Sequence, residues 1–359
     1  MGTRFHPWGV VLLVSCATLP EPPGGNLNLP SAGAGPFRDI VAAELSSTRA
    51  PPYGLDDGGP PYGRDITVLD ADGDPTTLGV IAYLAAAVTE NGVAPTAASP
   101  TRSIVRHAAL DGRSFDFPSE VVLTPDAPWE GDVLGSPAAV RAGGQVFLYY
   151  AAAGGIGLAT STDTHAFTKV SGPVLAPAAG GWEQGATPAS PGVVQLADGT
   201  FRMFYEVALA PGKSAIGEAS SADGSTWTRV GSGPALAPLA AVDGGDTWES
   251  ASVGSPFPLL AQSGDGRSIL RLYYGAVDAA GQGTIALAAR YGTDGDFQRA
   301  VSPVYGTSSA LDPREPCVVV FSAFTLLYAT EKTSSGDKHA AIAVGVAPAT
   351  AALGAPDPP

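Results

Sequence analysis

Apolar runs alternate with Gly/Asp turns along this chain, and the same order of elements returns five times. Each unit opens with a nearly continuous apolar run: Ile66 to Leu69 (ITVL), Pro137 to Val140 (PAAV), Pro191 to Val194 (PGVV), Pro256 to Leu260 (PFPLL) and Pro316 to Val320 (PCVVV). A polar turn such as Arg141 to Gln145 (RAGGQ), Ala197 to Thr200 (ADGT) or Ser263 to Arg267 (SGDGR) follows, carrying the Gly and Asp that tight hairpins need at positive φ. Next comes a strand rich in aromatic and branched residues: Leu78 to Val88, Val146 to Ala153, Phe201 to Leu209, Leu270 to Asp278 and Phe324 to Lys332. A third, small-residue strand begins at Ile104, Ile156, Ile216, Ile285 and Ile342, and a turn then leads to an edge strand such as Thr226 to Val230 (TWTRV).

The third-strand starts lie 52, 60, 69 and 57 residues apart, too irregular for a solenoid and suited to propeller blades with variable loops. The chain is therefore expected to be all-β: a five-bladed β-propeller with mostly four-stranded antiparallel blades over residues 50–346. The opening runs are apolar almost throughout, as inner strands packed between two neighbours must be.

Composition narrows the class. The 46 Gly and 33 Pro punctuate the chain often, while 45% hydrophobic and only 15% charged residues leave enough apolar surface for a large core, as in an exported all-β protein. The net charge of -15 repels phosphate backbones and anionic lipid head groups, which excludes nucleic acid and electrostatic membrane docking.

Residues 1–16 read as a lipoprotein signal peptide. Arg4 and His6 precede the apolar run Val10 to Val14, too short to span a bilayer, and Leu13-Val14-Ser15-Cys16 resembles the bacterial lipobox. That resemblance implies lipidation of Cys16; an ordinary secretory signal or a cytosolic start are the alternatives. With Cys16 so used, only Cys317 remains and no disulfide is expected. Residues 17–49 read as a Pro/Gly-rich tether and lead-in, and 347–359 as a disordered tail. On this reading a monomer sits in the bacterial envelope, at the outer membrane or cell surface, and meets the membrane through its lipid anchor only.

The blade phrases, above all Ala219 to Trp227 (ASSADGSTW), and the junction dipeptides Trp129-Glu130, Trp182-Glu183 and Trp248-Glu249 resemble the five-bladed arabinanase, levansucrase and invertase superfamily. The ASSADGSTW turn is also similar to the Asp-box of six-bladed sialidases but lacks the spacer between Asp223 and Gly224. The resemblance implies a glycosidase-like protein with a carbohydrate ligand in an axial funnel. It further implies carboxylates just before the inner strands: an Asp base or nucleophile on the first blade, a supporting Asp on the second and a Glu acid on the third. Glycoside hydrolysis needs such a pair, one group protonating the leaving oxygen while the other attacks or activates water.

The pre-strand residues here are Asp65, Ser136, Ser190, Ser255 and Glu315. Asp65 matches the first-blade acid, whereas Ser136 and Ser190 depart from the second and third. Ring closure makes blade five the neighbour of blade one, so Asp65 and Glu315 are the candidate catalytic pair, with Arg64 and Arg314 beside them holding them ionised. The competing reading is that each acid pairs with an adjacent Arg or caps a loop. Asp132 and Glu206 are single-blade acids that could replace a missing one. Ser136, Ser190 and Ser255 are candidate substrate-binding residues. So are Trp129, Trp182 and Trp248, whose repetition in three blades equally suits interblade packing; Glu130, Glu183 and Glu249 would then bind loop amides.

Other signals add no cofactor. Asp70-Ala71-Asp72-Gly73-Asp74 has the alternating acids of a calcium loop but no bidentate Glu at the twelfth position, and a hairpin turn accounts for it better. His6, His107, His165 and His339 share no metal-ligand spacing, and GxSxG, P-loop and dinucleotide fingerprints are absent. Two functions remain open: a surface-anchored glycosidase-like enzyme, and a non-catalytic propeller that binds glycan or protein.

Overall fold

A computed structural model describes residues 37–39, 64–86 except 75 and 78, 102–112 except 111, 115, 120–239, 248–262, 267–300, 302–306, 312–321, 324–332 and 340–348. Among these residues there is no helix, and twenty strands form five four-stranded antiparallel sheets. The first strand, β1 (Arg38–Asp39), stands apart from the four sheets that follow it. Blade one holds β2 (Arg64–Asp70), β3 (Val80–Ala86), β4 (Ser103–Ala109) and β5 (Glu120–Leu123). Blade two holds β6 (Gly135–Ala142), β7 (Gln145–Ala152), β8 (Gly155–Ser161) and β9 (Thr168–Lys169). Blade three holds β10 (Pro188–Gln195), β11 (Phe201–Ala210), β12 (Lys213–Ser221) and β13 (Thr228–Arg229). Blade four holds β14 (Ser252–Gln262), β15 (Ser268–Val277), β16 (Gly283–Tyr291) and β17 (Gln298–Arg299).

Blade five is built differently. Its strands β18 (Pro313–Val320), β19 (Phe324–Lys332) and β20 (Ala340–Pro348) supply three positions, and β1 pairs with β20 as the outermost fourth. The first and the last described strands thus meet in one sheet, which closes the ring. The inner strands pack in the circular order β2, β6, β10, β14, β18 and back to β2.

A second ring of contacts locks each blade to the next. The aromatic strand of every blade carries one large ring at the same register position: Tyr83 opposite Thr67, Tyr149 opposite Ala138, Phe204 opposite Gly192, Tyr273 opposite Phe257 and Tyr328 opposite Cys317. Each is buried and reaches into the next blade. The Tyr83 hydroxyl donates to the Thr164 carbonyl at 3.1 Å and its ring meets Phe167 edge-on; Tyr149 donates to Gly224 at 2.6 Å and meets Trp227. Phe204 meets Phe297, and Tyr328 donates to the Gly112 carbonyl and meets Phe115. Tyr273 meets Phe37, just before β1, so the N-terminal segment supplies the fifth contact.

The ASSADGSTW phrase is explained by this ring. Asp223 accepts the amides of Ser225 and Thr226, Ser221 accepts that of Gly224, and the Trp227 indole donates to the Gly224 carbonyl, presenting that carbonyl to Tyr149. Blade two repeats the device: amides of His165 and Ala166 hold the Asp163 carboxyl down at about 2.

Candidate functional site

Every inner strand breaks register at the same place: between Arg64 and Thr67, Gly135 and Ala138, Ala189 and Gly192, Gly254 and Phe257, and Arg314 and Cys317. At each break sits one of the five pre-strand residues in the left-handed region: Asp65 (φ 56°), Ser136 (43°), Ser190 (44°), Ser255 (47°) and Glu315 (58°). Such a backbone costs an L-residue about 1–2 kcal/mol, and the bulge it makes re-aims a side chain. Four of the five are followed by Pro, which is tolerated at a bulge because no ladder N–H is needed there. All five residues line one narrow axial cavity of about 40 Å³, so the equivalence read from the sequence holds in three dimensions.

Hydrogen bonds link the ring from blade to blade. The Asp65 amide donates to Glu315 Oε2 at 3.2 Å and to Thr330 Oγ1 at 3.1 Å, joining blades one and five. Asp65 Oδ2 accepts the Ser136 amide at 2.9 Å and lies 3.3 Å from the Ser136 hydroxyl, which in turn lies 3.3 Å from that of Ser190. Asp65 is itself buried, at 5% exposure, and its carboxylate is fixed by donors from the next blade.

A wider cleft of about 290 Å³ opens from this ring toward blades three, four and five. Asp65, Glu206 and Glu315 all line it, together with Ser136, Ser190, Ser252, Ser255 and Arg314. Glu206 comes from β11 rather than from an inner strand. It stands opposite Ala189, where the other blades have Ala85, Ala151, Gly275 and Thr330. Its Oε2 accepts the Ser255 amide at 3.1 Å, as Thr330 accepts that of Asp65, so one second-strand position serves the next blade's bulge in two places. Gly254 is what admits it: a Cβ there would collide with the Glu206 carboxylate.

The remaining candidates fall elsewhere. The Arg314 guanidinium lines the cleft, held by Asp312 at 2.8 Å and the Gly281 carbonyl at 3.0 Å. Asp132 is exposed and lines neither axial cavity. Trp129, Trp182 and Trp248 also line neither; Trp129 stacks on Tyr150, and Trp182 and Trp248 pack against the cores of blades two and three and of blades three and four. The Glu after each Trp is buried and receives a tyrosine hydroxyl and a cation: Glu130 with Tyr150 and Lys169, Glu183 with Tyr205 and Arg229, Glu249 with Tyr274 and Arg299. Among the described residues, only Glu130 also accepts loop amides, those of Asp126 and Ala127. Burial pushes the Glu130 carboxyl up, but the Lys169 ammonium, these amides and the Tyr150 hydroxyl outweigh it and leave the group below its ordinary value. Asp70, Asp72 and Asp74 accept amides within their own turn, as a hairpin requires. The Arg64 side chain and Cys16 lie outside the described residues.

No family model matches the sequence, and no curated protein matches it. Solved structures do resemble it. A glycosyl hydrolase from Bacteroides ovatus superposes with a TM-score of 0.61 at 14% identity over 90% of this chain and 97% of that one. A thermostable family-43 glycoside hydrolase gives 0.58 at 16% identity, over 79% and 88%. The endo-arabinase of Bacteroides thetaiotaomicron gives 0.54 at 15% identity, over 83% and 97%. The fold of this chain is that of the glycoside hydrolase propellers.

Proposed function

We propose that the protein takes the end of a carbohydrate chain into the axial cleft and hydrolyses it there. The observation that carries this reading is the convergence of Asp65, Glu206 and Glu315 on one cleft of about 290 Å³ whose other side chains are mostly serine hydroxyls. That volume is close to the lower end of small-molecule sites, roughly 300 Å³, and suits one sugar ring at a time. Carboxylates and hydroxyls are the groups that recognise a polyol by hydrogen bonding.

Glycoside cleavage requires carboxyl groups about 5 to 9.5 Å apart, with the scissile bond between them. Glu315 abuts the Asp65 backbone, whereas Glu206 comes from blade three, not adjacent to blade one, and so faces Asp65 across the cleft. Asp65, oriented by Ser136, is the group that attacks the anomeric carbon or activates water. Glu206 gives its proton to the departing glycosidic oxygen, and Glu315 holds a sugar hydroxyl beside Asp65. A glycan hydrolysis screen followed by D65N and E206Q tests the assignment: each should lower kcat at least about 100-fold, while E315Q chiefly raises KM. Loss of turnover in E315Q with E206Q unaffected would assign the pair to Asp65 and Glu315 instead.

A non-catalytic glycan-binding propeller is the second reading, favoured by Ser136 and Ser190 where the resemblance to the arabinanase, levansucrase and invertase superfamily implies acids. Binding on a glycan array with no hydrolysis of the same glycans would select it. Surface anchoring is part of the proposal too, supported by the Leu13-Val14-Ser15-Cys16 stretch; Cys16→Ser should release the protein from membranes, and unchanged partitioning would remove the anchor.

A further inference from the structure

A serine hydroxyl has one proton to donate and lone pairs to accept with, so its neighbours decide which of these a ligand meets. Ser252, the first residue of β14, lines the axial cleft, and its Oγ lies 2.6 Å from that of Ser214, the second residue of β12. Ser214 is buried, and its Oγ also lies 2.9 Å from the Val253 carbonyl, which can only accept. The Ser214 proton therefore goes to Val253, and the bond between the two hydroxyls takes its proton from Ser252. The opposite assignment would make one of these two bonds and deprive the Val253 carbonyl of this donor, in a buried place where a lost bond is costly. Ser252 thus shows the cleft only lone pairs.

The other hydroxyls of the cleft have the same sense. Ser136 donates to Asp65 Oδ2 at 3.3 Å, Ser190 donates to Ser136 at 3.3 Å, and the Ser255 hydroxyl is directed at Glu206 Oε2 at 3.5 Å. Asp65 and Glu315 accept as carboxylates. Arg314 has protons to offer, but its Nη2 is engaged by Asp312 and the Gly281 carbonyl. Glu206 contributes the single proton it carries as the acid.

We infer that Ser252 is a specificity-determining residue of the cleft, fixed as an acceptor by Ser214, and that it takes a proton from a free hydroxyl of the bound sugar. This rests on the axial cleft being a carbohydrate site. The substrate class that fits is a glycan whose terminal sugar is uncapped, because an O-methyl or O-acetyl group at that position would bring acceptors to meet acceptors. Ser214 acts through Ser252 and is a positioning residue.

The experiment titrates the protein with the methyl glycosides of glucose, galactose, mannose and arabinose, and with their deoxy and deoxyfluoro derivatives at each hydroxyl in turn, and reads affinity by NMR. Fluorine accepts weakly and cannot donate, whereas hydrogen does neither. At the position that faces Ser252, both replacements should weaken binding of at least one sugar by the same factor of about tenfold, the upper worth of one neutral hydrogen bond. Ser252→Ala should bring parent and derivatives level at that position alone. Ser214→Ala frees the Ser252 proton, so there the fluoro derivative should bind at least about twofold more tightly than the deoxy one; a merely structural loss would weaken both alike. Thermal melts check that both variants fold. A pattern unchanged at every position in Ser252→Ala, a wild-type preference for fluoro over deoxy at the Ser252 position, or equal binding of the two by Ser214→Ala overturns this inference alone. Failure of every sugar to bind the folded wild type overturns the carbohydrate reading as well.

Discussion

Gly254→Ala should silence the site while leaving the fold nearly intact. Gly254 lies in β14 with no positive φ, and the three atoms nearest to an added methyl all belong to the Glu206 carboxyl group. The neighbour that must give way is therefore the far end of a flexible side chain. Moving it forfeits the hydrogen bond from the Ser255 amide, worth about 0.5–1.5 kcal/mol. Replacing Gly by Ala returns about 0.4–1 kcal/mol by restricting the unfolded chain. The net loss is then within about 1 kcal/mol, which shifts Tm by no more than about 2–4 °C. A carboxylate displaced by about 1 Å costs on the order of 100-fold in turnover. Two controls bracket the effect. At Gly135 the nearest atom to the new methyl is Asp65 Oδ2 at 3.4 Å, an ordinary contact, so Gly135→Ala should be mild; at Gly192 the methyl would strike the Pro256 carbonyl, so Gly192→Ala should destabilise the fold. Thermal melts and glycan assays on the three variants decide it. A Gly254→Ala protein as active as wild type, or one destabilised as much as Gly192→Ala, refutes the reasoning.

Two further outcomes follow from the packing. Tyr149→Phe removes a hydroxyl donor from the Gly224 carbonyl, which keeps the Trp227 indole as donor, so urea melts should show a loss of only about 1 kcal/mol; Tyr149→Ala also empties a fully buried interblade position and should lose about 3–5 kcal/mol, and a loss under 1 kcal/mol would deny the interblade ring its role. Burial pushes the Cys317 thiol up to about 12, so in a Cys16→Ser background it should resist alkylation at pH 8 until the protein is unfolded; labelling of the native protein at a free-thiol rate contradicts that placement.

What the sequence disclosed and what it hid have physical reasons. The inner strands were legible because burial on both sides keeps them continuously apolar, and the pre-strand position was legible because Pro follows it four times. The left-handed backbone at Asp65 and Glu315 was not, since neither residue type advertises a positive φ as Gly does. Glu206 was legible as a single-blade acid, but not as a member of the axial cleft: what sets it apart from Ala85, Ala151, Gly275 and Thr330 is visible only once register is known. Strand β1 is two residues, Arg38 and Asp39, too short for any periodicity, and what places it is its pairing with β20 and the contact of Phe37 with Tyr273. Edge strands also came out shorter than read: Thr228–Arg229 in place of Thr226 to Val230, because the first two residues belong to the Asp223 turn. At the other end, Ala347 and Pro348, read as tail, complete β20.

The central claim is that Asp65, Glu206 and Glu315 form one carbohydrate site on the propeller axis. A crystal structure of the D65N variant with a glycan selected by the array tests it most directly. The account requires a sugar ring in the axial cleft, between residue 65 and Glu206, with a hydroxyl on Glu315. A glycan seated on a blade rim or an outer face, with the axial cleft empty, would contradict it.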